Sequence, residues 1–395
     1  MHADVQSILT AVWPGYVQTH RVEGYVRRAV WWMVRCGTGE LGHLTLRCPD
    51  GHWEEQAGKS CRHRACVRCG YRRRRQWVEG WVERLLPIAH YQMVFTLPSE
   101  LHPLWRANRK AMADLLFRVV RDTVMGVLAR PDCLGAEPGI LMALHTWSRS
   151  LTLHPHLHCL VTAGGLALSG VWRAARESAL LSREQLKQLK RTYRDTLVAA
   201  VRAQWSAGRI RLPAGWDAEE MERVLARVAG IKWNVRIEPP YRHGVGLVLY
   251  LARYVSGGPI GKHRIQSFDG QDVTLVVGRE AHAPATLTLS ADDFIQRLLE
   301  HVPVPRLRML RSYGLYAAAK RRQLEQCRAL VPATAEGAAA SVRQSDDACL
   351  PRCPQCGKVL EPDELAPPPR VRRASPSARA APPLAVVPLA MPEAA

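Results

Sequence analysis

The chain has 395 residues, of which 47% are hydrophobic, so it has room for two or three domains and at least one large core. It contains no apolar run of about 18 residues, and its first residues lack the pattern of a signal peptide, so we expect no membrane span and a cytoplasmic location. Lys and Arg number 55 against 35 Asp and Glu, a net charge of +20 that favours a polyanionic partner. Nucleic acid is the first candidate partner, and an anionic membrane surface is the second.

Metal-ligand residues crowd the segment from Cys36 to Cys69. Cys66-Val-Arg-Cys69 has a spacing typical of tetrahedral zinc, and Cys61 lies one short loop upstream. A reduced cysteine is expected in a chain without an export signal, so metal ligands are favoured over disulfides or redox cysteines. The predicted ligands of structural zinc are Cys36, Cys48, His52, Cys61, Cys66 and Cys69. His43 competes for a position, and the sequence leaves open whether one or two ions bind.

Arginines border this cysteine-rich segment and continue into a predicted helix. Arg dominates the basic charge, and its guanidinium suits two-pronged contacts to phosphate. A small zinc-stapled module with such a border predicts a DNA-binding region. The predicted DNA-binding residues are Arg62, Arg64, Arg68, Arg72, Arg73, Arg74 and Arg75.

From about residue 86 to 320, short β-branched and aromatic runs alternate with amphipathic stretches, which indicates an α/β or α+β domain. The predicted strands are 91–97, 141–146, 154–162 and 232–237. The predicted helices are 182–206, 217–229 and 245–255.

Three or four histidines fall on the second and third of these strands. Alternate residues of a strand share a face, so His156 and His158 point the same way while Leu157 faces the core. Pro155 leaves it open whether His154 joins them. His145 can reach the same point across the hairpin. The pattern predicts a divalent-metal site, and spacing alone does not distinguish a hydrolase, a nuclease or an oxygenase.

The predicted helix 245–255 carries Tyr250 and Tyr254, which share one helical face because they are four residues apart. Two core aromatics are the simplest interpretation. Beside a metal site, however, a phenol is a competent nucleophile toward a phosphodiester.

The sequence after residue 325 has a different composition from the rest of the chain. Residues 326–366 form an extension with Cys349, Cys353 and Cys356, in which Cys353-Pro-Gln-Cys356-Gly resembles half of a zinc ribbon without an assigned second half. Residues 367–395 are rich in Ala, Pro and Arg and are predicted to be disordered. The predicted domains are therefore a zinc-binding, DNA-binding module at 1–85, a second domain at 86–325, this extension, and the tail.

The order of these motifs resembles that of the HUH-type transposases of rolling-circle insertion sequences, the IS91 and ISCR-like group, over roughly residues 1 to 325. The matching stretches are 60–69 (SCRHRACVRC), 94–98 (VFTLP), 145–147 (HTW), 154–158 (HPHLH), 250–254 (YLARY) and 313–315 (YGL). The chain departs from the usual pattern at Gly51, Ala65 and Val67.

The resemblance implies a central antiparallel sheet with flanking helices and a role for each motif. By this likeness, His145, His156 and His158 bind catalytic Mg²⁺ or Mn²⁺, and Tyr250 and Tyr254 are the nucleophiles. The implied reaction cleaves single-stranded DNA to a 5′-phosphotyrosine and a free 3′-OH, and the implied partner is single-stranded DNA at the element ends and the target. Two alternatives stay open: a zinc-containing DNA-binding regulator without catalysis, and a metal-dependent nuclease without a covalent intermediate.

Overall fold

A computed structural model describes residues 3–176, 179–253, 258–278, 285–331 and 351–362. The chain opens with two helices, α1 (Val5–Thr19) and α2 (Gly24–Val34). Helix α1 begins where the Asp4 side chain accepts a hydrogen bond from the Ser7 N–H at 2.8 Å, which satisfies one of the free amides of the first turn. Strands β1 (His43–Arg47) and β2 (Glu54–Gly58) follow, and then helix α3 (Tyr71–Arg84).

The middle of the chain alternates strands and helices. In chain order its elements are β3 (His90–Thr96), α4 (His102–Ala107), α5 (Arg109–Leu128), β4 (Gly139–Trp147), β5 (Leu153–Thr162), β6 (Gly164–Leu166), β7 (Trp172–Ala174), α6 (Arg183–Ser206), α7 (Ala218–Gly230), β8 (Val235–Ile237) and α8 (Val245–Ala252). The later elements are β9 (Ile265–Phe268), β10 (Asp272–Val276), β11 (Thr286–Ser290), α9 (Ala291–Glu300), β12 (Leu310–Gly314), α10 (Arg321–Leu330) and β13 (Glu361–Pro362).

The central sheet has five strands in the order β12-β4-β5-β3-β8, and every neighbouring pair is antiparallel. The predicted antiparallel sheet with flanking helices is confirmed. Its two longest strands, β4 and β5, lie in the middle and are buried along almost their whole length. A sheet covered on both faces needs apolar residues at nearly every position, which these two strands supply.

The strand alternation divides the sheet into two faces. Leu157 and Cys159 of β5 belong to a large core with α5, α6 and α7, in which Phe95 packs edge-on against Tyr193 with ring centroids 5.1 Å apart. Leu160 of β5 and Ala143 of β4 belong to a different core, which also contains residues of α3, α8 and α10. His156 and His158 alternate with Leu157, so they lie on the face that α8 covers.

A second, antiparallel sheet has the strand order β11-β10-β9, and α9 begins directly after β11. Its apolar residues, including Val273 and Leu275, form one cluster with α1, α2 and Phe294 of α9. The N-terminal helices are thus packed on a part of the chain more than 200 residues away. The sequence patterns did not predict this sheet.

The predicted elements are confirmed with small differences. The strand predicted at 232–237 comprises only Val235–Ile237, because the buried Trp233 donates from Nε1 to the carbonyl of Val228 at 2.7 Å and holds the chain at the end of α7. Helix α8 is described to Ala252, and Tyr254 lies outside the described residues, as do Cys349 and the predicted disordered tail.

The residue contacts divide the chain into two compact units. One contains residues 44–56 and the described residues 351–362, and the other contains the rest. The predicted domain boundaries near residues 85, 325 and 366 stay predictions. None of the helices in the described ranges combines the length and apolar composition that crossing a bilayer requires.

Candidate functional site

Four cysteines of the N-terminal region converge. The Sγ atoms of Cys36, Cys61, Cys66 and Cys69 all lie within 4.8 Å of one another, and those of Cys61 and Cys69 are 3.6 Å apart. Zn–S bonds of about 2.3 Å in a tetrahedron place neighbouring sulfurs about 3.8 Å apart, so the spacing fits zinc. Hydrogen bonds among the four thiols lower the pKa of Cys36 and raise that of Cys61 and Cys66. Four protein ligands leave no position for a substrate, so such a site is structural.

The C-terminal end of α2 and the N-terminal end of α3 bring these cysteines together. Cys36 follows α2, where the Gln6 side chain donates to the carbonyls of Met33, Val34 and Cys36 at 3.2, 2.8 and 3.0 Å. Cys69 lies two residues before α3. The Cys61 N–H also donates to Cys36 Sγ at 3.4 Å, a contact typical of a metal-bound thiolate.

The other predicted zinc ligands lie elsewhere. Cys48 and His52 group with Cys353 and Cys356 and not with the Cys36 cluster. Among the described residues, His43 belongs to neither cluster. The six residues predicted as zinc ligands are therefore divided between two groups of four.

Three histidines form a third cluster at the centre of the main sheet. His145 and His156 are directly opposite each other on β4 and β5, and His158 lies two residues further along β5. His145 Nδ1 is 2.9 Å from His156 Nε2, which is 3.1 Å from His158 Nε2. Ligands at about 2.1 Å and at right angles around an ion lie about 3.0 Å apart, so each of these two distances fits neighbouring corners of an octahedron. The predicted three-histidine group is brought together by the strand register.

His154 lies on β5 next to the three-histidine cluster but does not belong to it. Pairing of β5 with β3 begins at His156, and pairing with β4 shifts register between Leu153 and His156. Pro155, which has no N–H to donate, lies at this irregularity. The His154 ring centroid lies 4.9 Å from that of His156, yet His154 is not among the converging nitrogens. It is half-buried at the margin of the site.

The histidines are buried and uncharged near neutral pH. Burial lowers the pKa of His156 to about 4 and that of His158 to about 3, and it lowers that of His145 well below its usual range. His156 Nδ1–H donates to the carbonyl of His154 at 2.6 Å, which leaves the Nε2 lone pair directed at the cluster. Neutral imidazoles are competent metal ligands.

Gln92 is a site residue that sequence reasoning missed. It is buried on β3, two positions from the residue that pairs with His158, and its carboxamide lies 2.8 Å from His158 Nδ1. The Tyr241 hydroxyl donates to the same carboxamide at 3.3 Å. The structure places Gln92 Nε2 against His158 Nδ1 and Oε1 against the Tyr241 hydroxyl. The two amide orientations have the same shape, and after a half-turn Oε1 accepts the His158 Nδ1–H while Nε2 donates to the Tyr241 hydroxyl oxygen. That orientation fixes the tautomer whose Nε2 can bind a metal.

We expect Gln92→Ala to weaken Mn²⁺ binding by about 10- to 100-fold, because removing the partner of a metal-bound histidine typically costs that much affinity. Electron paramagnetic resonance of free Mn²⁺ measures the dissociation constant on zinc-loaded protein. The matched control is Tyr241→Phe, which keeps the carboxamide and should change the affinity less. Equal Mn²⁺ affinity in Gln92→Ala and the unmodified chain would contradict this role.

Helix α8 lies on the histidine face and carries Tyr250. Val248 and Leu251 are buried in the same hydrophobic core as Leu160 of β5, and Tyr250 is only partly buried. The Tyr250 ring meets the His158 ring edge-to-face, with centroids 5.3 Å apart. The exposed Arg253 places its guanidinium carbon 5.9 Å from the centre of the Tyr250 ring. The structure thus brings one of the two predicted nucleophiles to the histidine cluster.

A buried hydrogen-bond chain fixes the start of α8. His90 Nδ1–H donates to the carbonyl of Ile88 at 2.9 Å, and its Nε2 accepts from the Tyr316 hydroxyl at 2.7 Å. Gly244 precedes α8, and a Cβ there would lie 2.9 Å from His90 Nδ1. Only glycine permits this close approach of α8 to β3.

Helix α3 connects the Cys36 cluster to α8. Val78 and Trp81 of α3 pack with Leu247 and Leu251 of α8 in one hydrophobic cluster. Beyond α8, Gly258 approaches residues 61–69, the zinc loop, so closely that a Cβ would lie 2.7 Å from the Ala65 carbonyl oxygen. The cysteine cluster therefore supports the helix that carries Tyr250.

The predicted DNA-binding arginines have different surroundings. Arg64 is half-buried and donates to the carbonyls of Leu307 and Val304 at 2.5 and 2.6 Å. Arg68 donates to Gln6 Oε1, and Arg75 forms an ion pair with Glu79 at 2.8 Å. Arg62 and Arg73 are exposed, Arg74 is partly buried, and the Arg72 side chain lies outside the described part of the chain.

An antiparallel sheet with three converging histidines, a tyrosine beside them and a four-cysteine cluster define a metal-binding α+β protein. Comparison with known proteins identifies its family. A family model described as "Putative transposase" matches residues 139–323, and one described as "Transposase zinc-binding domain" matches residues 8–97. The chain belongs to the IS91 family of transposases and carries its N-terminal zinc-binding domain.

Individual relatives agree with this family. "Putative transposase y4qJ" of Sinorhizobium fredii is 30% identical over 347 residues, which cover 84% of this chain and 86% of that protein. "Transposase for insertion sequence element IS801" of Pseudomonas savastanoi pv. phaseolicola is 31% identical over 296 residues, 72% of this chain and 68% of that protein. A solved structure of the conjugative relaxase TrwC in complex with oriT DNA has a TM-score of 0.23 and 14% identity, over 42% of this chain and 71% of that chain. The family match and the Cys36 cluster together support a structural zinc ion in the N-terminal region.

Proposed function

We propose that this transposase cleaves and rejoins single-stranded DNA through a 5′-phosphotyrosine intermediate, as an HUH-type enzyme of rolling-circle transposition. The observation that carries the proposal is the convergence of three histidine nitrogens, 2.9 and 3.1 Å apart, next to the ring of Tyr250. Membership of a transposase family supports DNA as the substrate.

The metal ligands in this proposal are His145 Nδ1, His156 Nε2 and His158 Nε2. Their spacing and their neutral state fit a divalent cation, which when bound supplies Lewis-acid stabilisation of the charge on the phosphoryl oxygens. Mg²⁺ prefers oxygen ligands, so an all-imidazole set favours Mn²⁺ in affinity, and both ions belong in an assay.

Tyr250 is the proposed nucleophile. Its phenolic oxygen attacks the phosphorus, the bond from phosphorus to the 3′ oxygen of the preceding nucleotide breaks, and the phenolic proton ends on that 3′ oxygen. The 5′ phosphate stays joined to the tyrosine as an ester. Attack by another 3′-OH reverses the exchange and rejoins a strand without ATP, because the number of phosphodiester bonds is unchanged.

Tyr254 is the proposed second nucleophile, four residues after Tyr250 in sequence. A second tyrosine allows a second cleavage while the first strand is still attached. Comparing the Tyr250→Phe and Tyr254→Phe single variants with the double variant decides whether the two phenols substitute for each other.

The proposed DNA contacts come from exposed arginines of the zinc-binding region and from Arg253 at the end of α8. Arg62 is exposed within the zinc loop and Arg73 just after it, and Arg253 is exposed beside Tyr250. Guanidinium groups form bidentate hydrogen bonds to phosphate, which hold a DNA strand in register. Arg64 is left out of this set because its guanidinium is bonded to two backbone carbonyls.

The decisive assay incubates the full chain with labelled single-stranded oligonucleotides from the ends of its element, with Mg²⁺ or Mn²⁺, and resolves the products on a denaturing gel. We expect a metal-dependent covalent protein–DNA band that disappears when Tyr250 and Tyr254 are both replaced by Phe. At position 250 the Phe variant keeps the ring that contacts His158 and removes only the hydroxyl.

Other outcomes support the alternatives. Cleavage without any covalent band, unchanged in the double Phe variant, indicates a metal-dependent nuclease that activates water. Binding without cleavage under every metal condition indicates a regulator.

A further inference from the structure

Residues 44–56 and 351–362 form a compact unit of their own, although nearly 300 residues separate them in sequence. Strand β1 lies between β2 and β13 and pairs antiparallel with β13 through Leu46 opposite Pro362 and Arg47 opposite Glu361. The segment around Cys353 lies beyond both family matches, which end at residues 97 and 323.

Two turns of this unit have the same construction. One is Cys48-Pro-Asp-Gly51-His52, and the other is Cys353-Pro-Gln-Cys356-Gly357. The Cys48 N–H donates to the Trp53 carbonyl and the Cys353 N–H to the Lys358 carbonyl, both at 2.8 Å and both across five residues. Gly51 and Gly357 have φ angles of 77° and 71°, which a side chain would disfavour. Each turn therefore folds back on its first cysteine.

These turns bring four ligand atoms together. Cys48 Sγ lies 3.5 Å from Cys356 Sγ and 3.9 Å from His52 Nδ1, and all four ligand atoms of the group lie within 4.8 Å of one another. The Cys48–Cys356 distance is far longer than a disulfide bond of about 2.05 Å and close to the spacing of thiolates around tetrahedral zinc.

The described part of this unit is too small to be held by its apolar residues alone. Leu46 and Leu360 are buried in it, together with Cys48 and Cys353. Chains below about 40 residues usually need a metal, a disulfide or a partner to fold. The Lys358–Asp50 ion pair, 2.7 Å long, joins the two turns but is exposed and contributes little.

We propose that Cys48, His52, Cys353 and Cys356 bind a second structural zinc ion, distinct from that of the Cys36 cluster. Three thiolates and one imidazole select zinc over Mg²⁺ or Mn²⁺. Four protein ligands leave no open position, so this ion is structural. The C-terminal segment thereby supplies half of a zinc site whose other half lies within the zinc-binding domain.

The test measures zinc per chain by mass spectrometry on the full chain, with His156 and His158 replaced by alanine throughout so that the histidine cluster takes up no zinc. We expect two zinc ions per chain, from the two cysteine-containing clusters, and one after Cys353→Ser with Cys356→Ser. Cys133→Ser is the matched control, because Cys133 lies outside the three clusters, and it should keep two. Two zinc ions in the Cys353/Cys356 variant would overturn the proposal.

A second measurement needs no variant. Alkylation of the unmodified chain, followed by peptide mapping, should label Cys353 and Cys356 far more slowly than Cys133 until a chelator is added. Labelling of both at the rate of Cys133, or a Cys48–Cys356 disulfide in the purified chain, would overturn the proposal even if the serine variant failed to fold.

Discussion

Replacing His156 and His158 together by alanine is expected to lower the rate of DNA cleavage by on the order of 10³-fold or more, because a bound cation contributes several kcal/mol to stabilising a phosphoryl transition state. Both side chains are buried and their Nε2 atoms are 3.1 Å apart, so both ligands are lost. Single-turnover cleavage of a labelled oligonucleotide in Mn²⁺ measures the rate.

His154→Ala is the matched control for this experiment. His154 lies on the same strand with its ring 4.9 Å from that of His156, and the carbonyl that accepts the His156 Nδ1–H belongs to its backbone and survives the substitution. This variant should cleave within a few-fold of the unmodified chain. A double His156/His158 variant that is folded by circular dichroism and cleaves at the control rate would contradict the proposed metal site.

Cys66→Ser is expected to unfold the N-terminal region and to remove one zinc ion. Structural zinc contributes about 10–16 kcal/mol of apparent binding energy in zinc-finger peptides, so losing a ligand should cost on the order of 5 kcal/mol or more. Because α3 begins two residues after Cys69 and packs on α8, the loss should also abolish the covalent DNA band.

Differential scanning calorimetry and zinc content measure this effect, with Cys133→Ser as the control for removing a thiol outside the clusters. The control should keep both the unfolding temperature and the zinc content of the unmodified chain. The same two values in Cys66→Ser would show that the Cys36 cluster does not hold a structural metal.

Much of the histidine site could be predicted from sequence because it depends on local geometry. Alternation along one strand places His156 and His158 on the same face, and a short hairpin brings His145 opposite His156. A helix predicted after Pro240 carries Tyr250, and α8 begins at Val245 as predicted. Each of these relations joins residues that are close together in sequence. Over such short separations the periodicity of a strand or helix fixes which side chains share a face.

The remaining features depend on contacts between distant parts of the chain. Gln92 reaches His158 only because β3 pairs with β5, and nothing in the sequence fixes that register. Cys48 and His52 meet Cys353 and Cys356 across some 300 residues, so spacing could not assign their partners. The β9–β11 sheet has short, weakly patterned strands, and its role as the support of α1 and α2 is visible only in the packing.

The covalent linkage itself is the most direct test of the proposed function. After incubation with single-stranded DNA and Mn²⁺, nuclease trimming and proteolysis, mass spectrometry of the peptides locates the bound nucleotide. The proposal predicts a 5′-phosphonucleotide on the peptide that contains Tyr250 and Tyr254. Cleaved DNA with no modified peptide, or a nucleotide on a different tyrosine such as Tyr241, would contradict it.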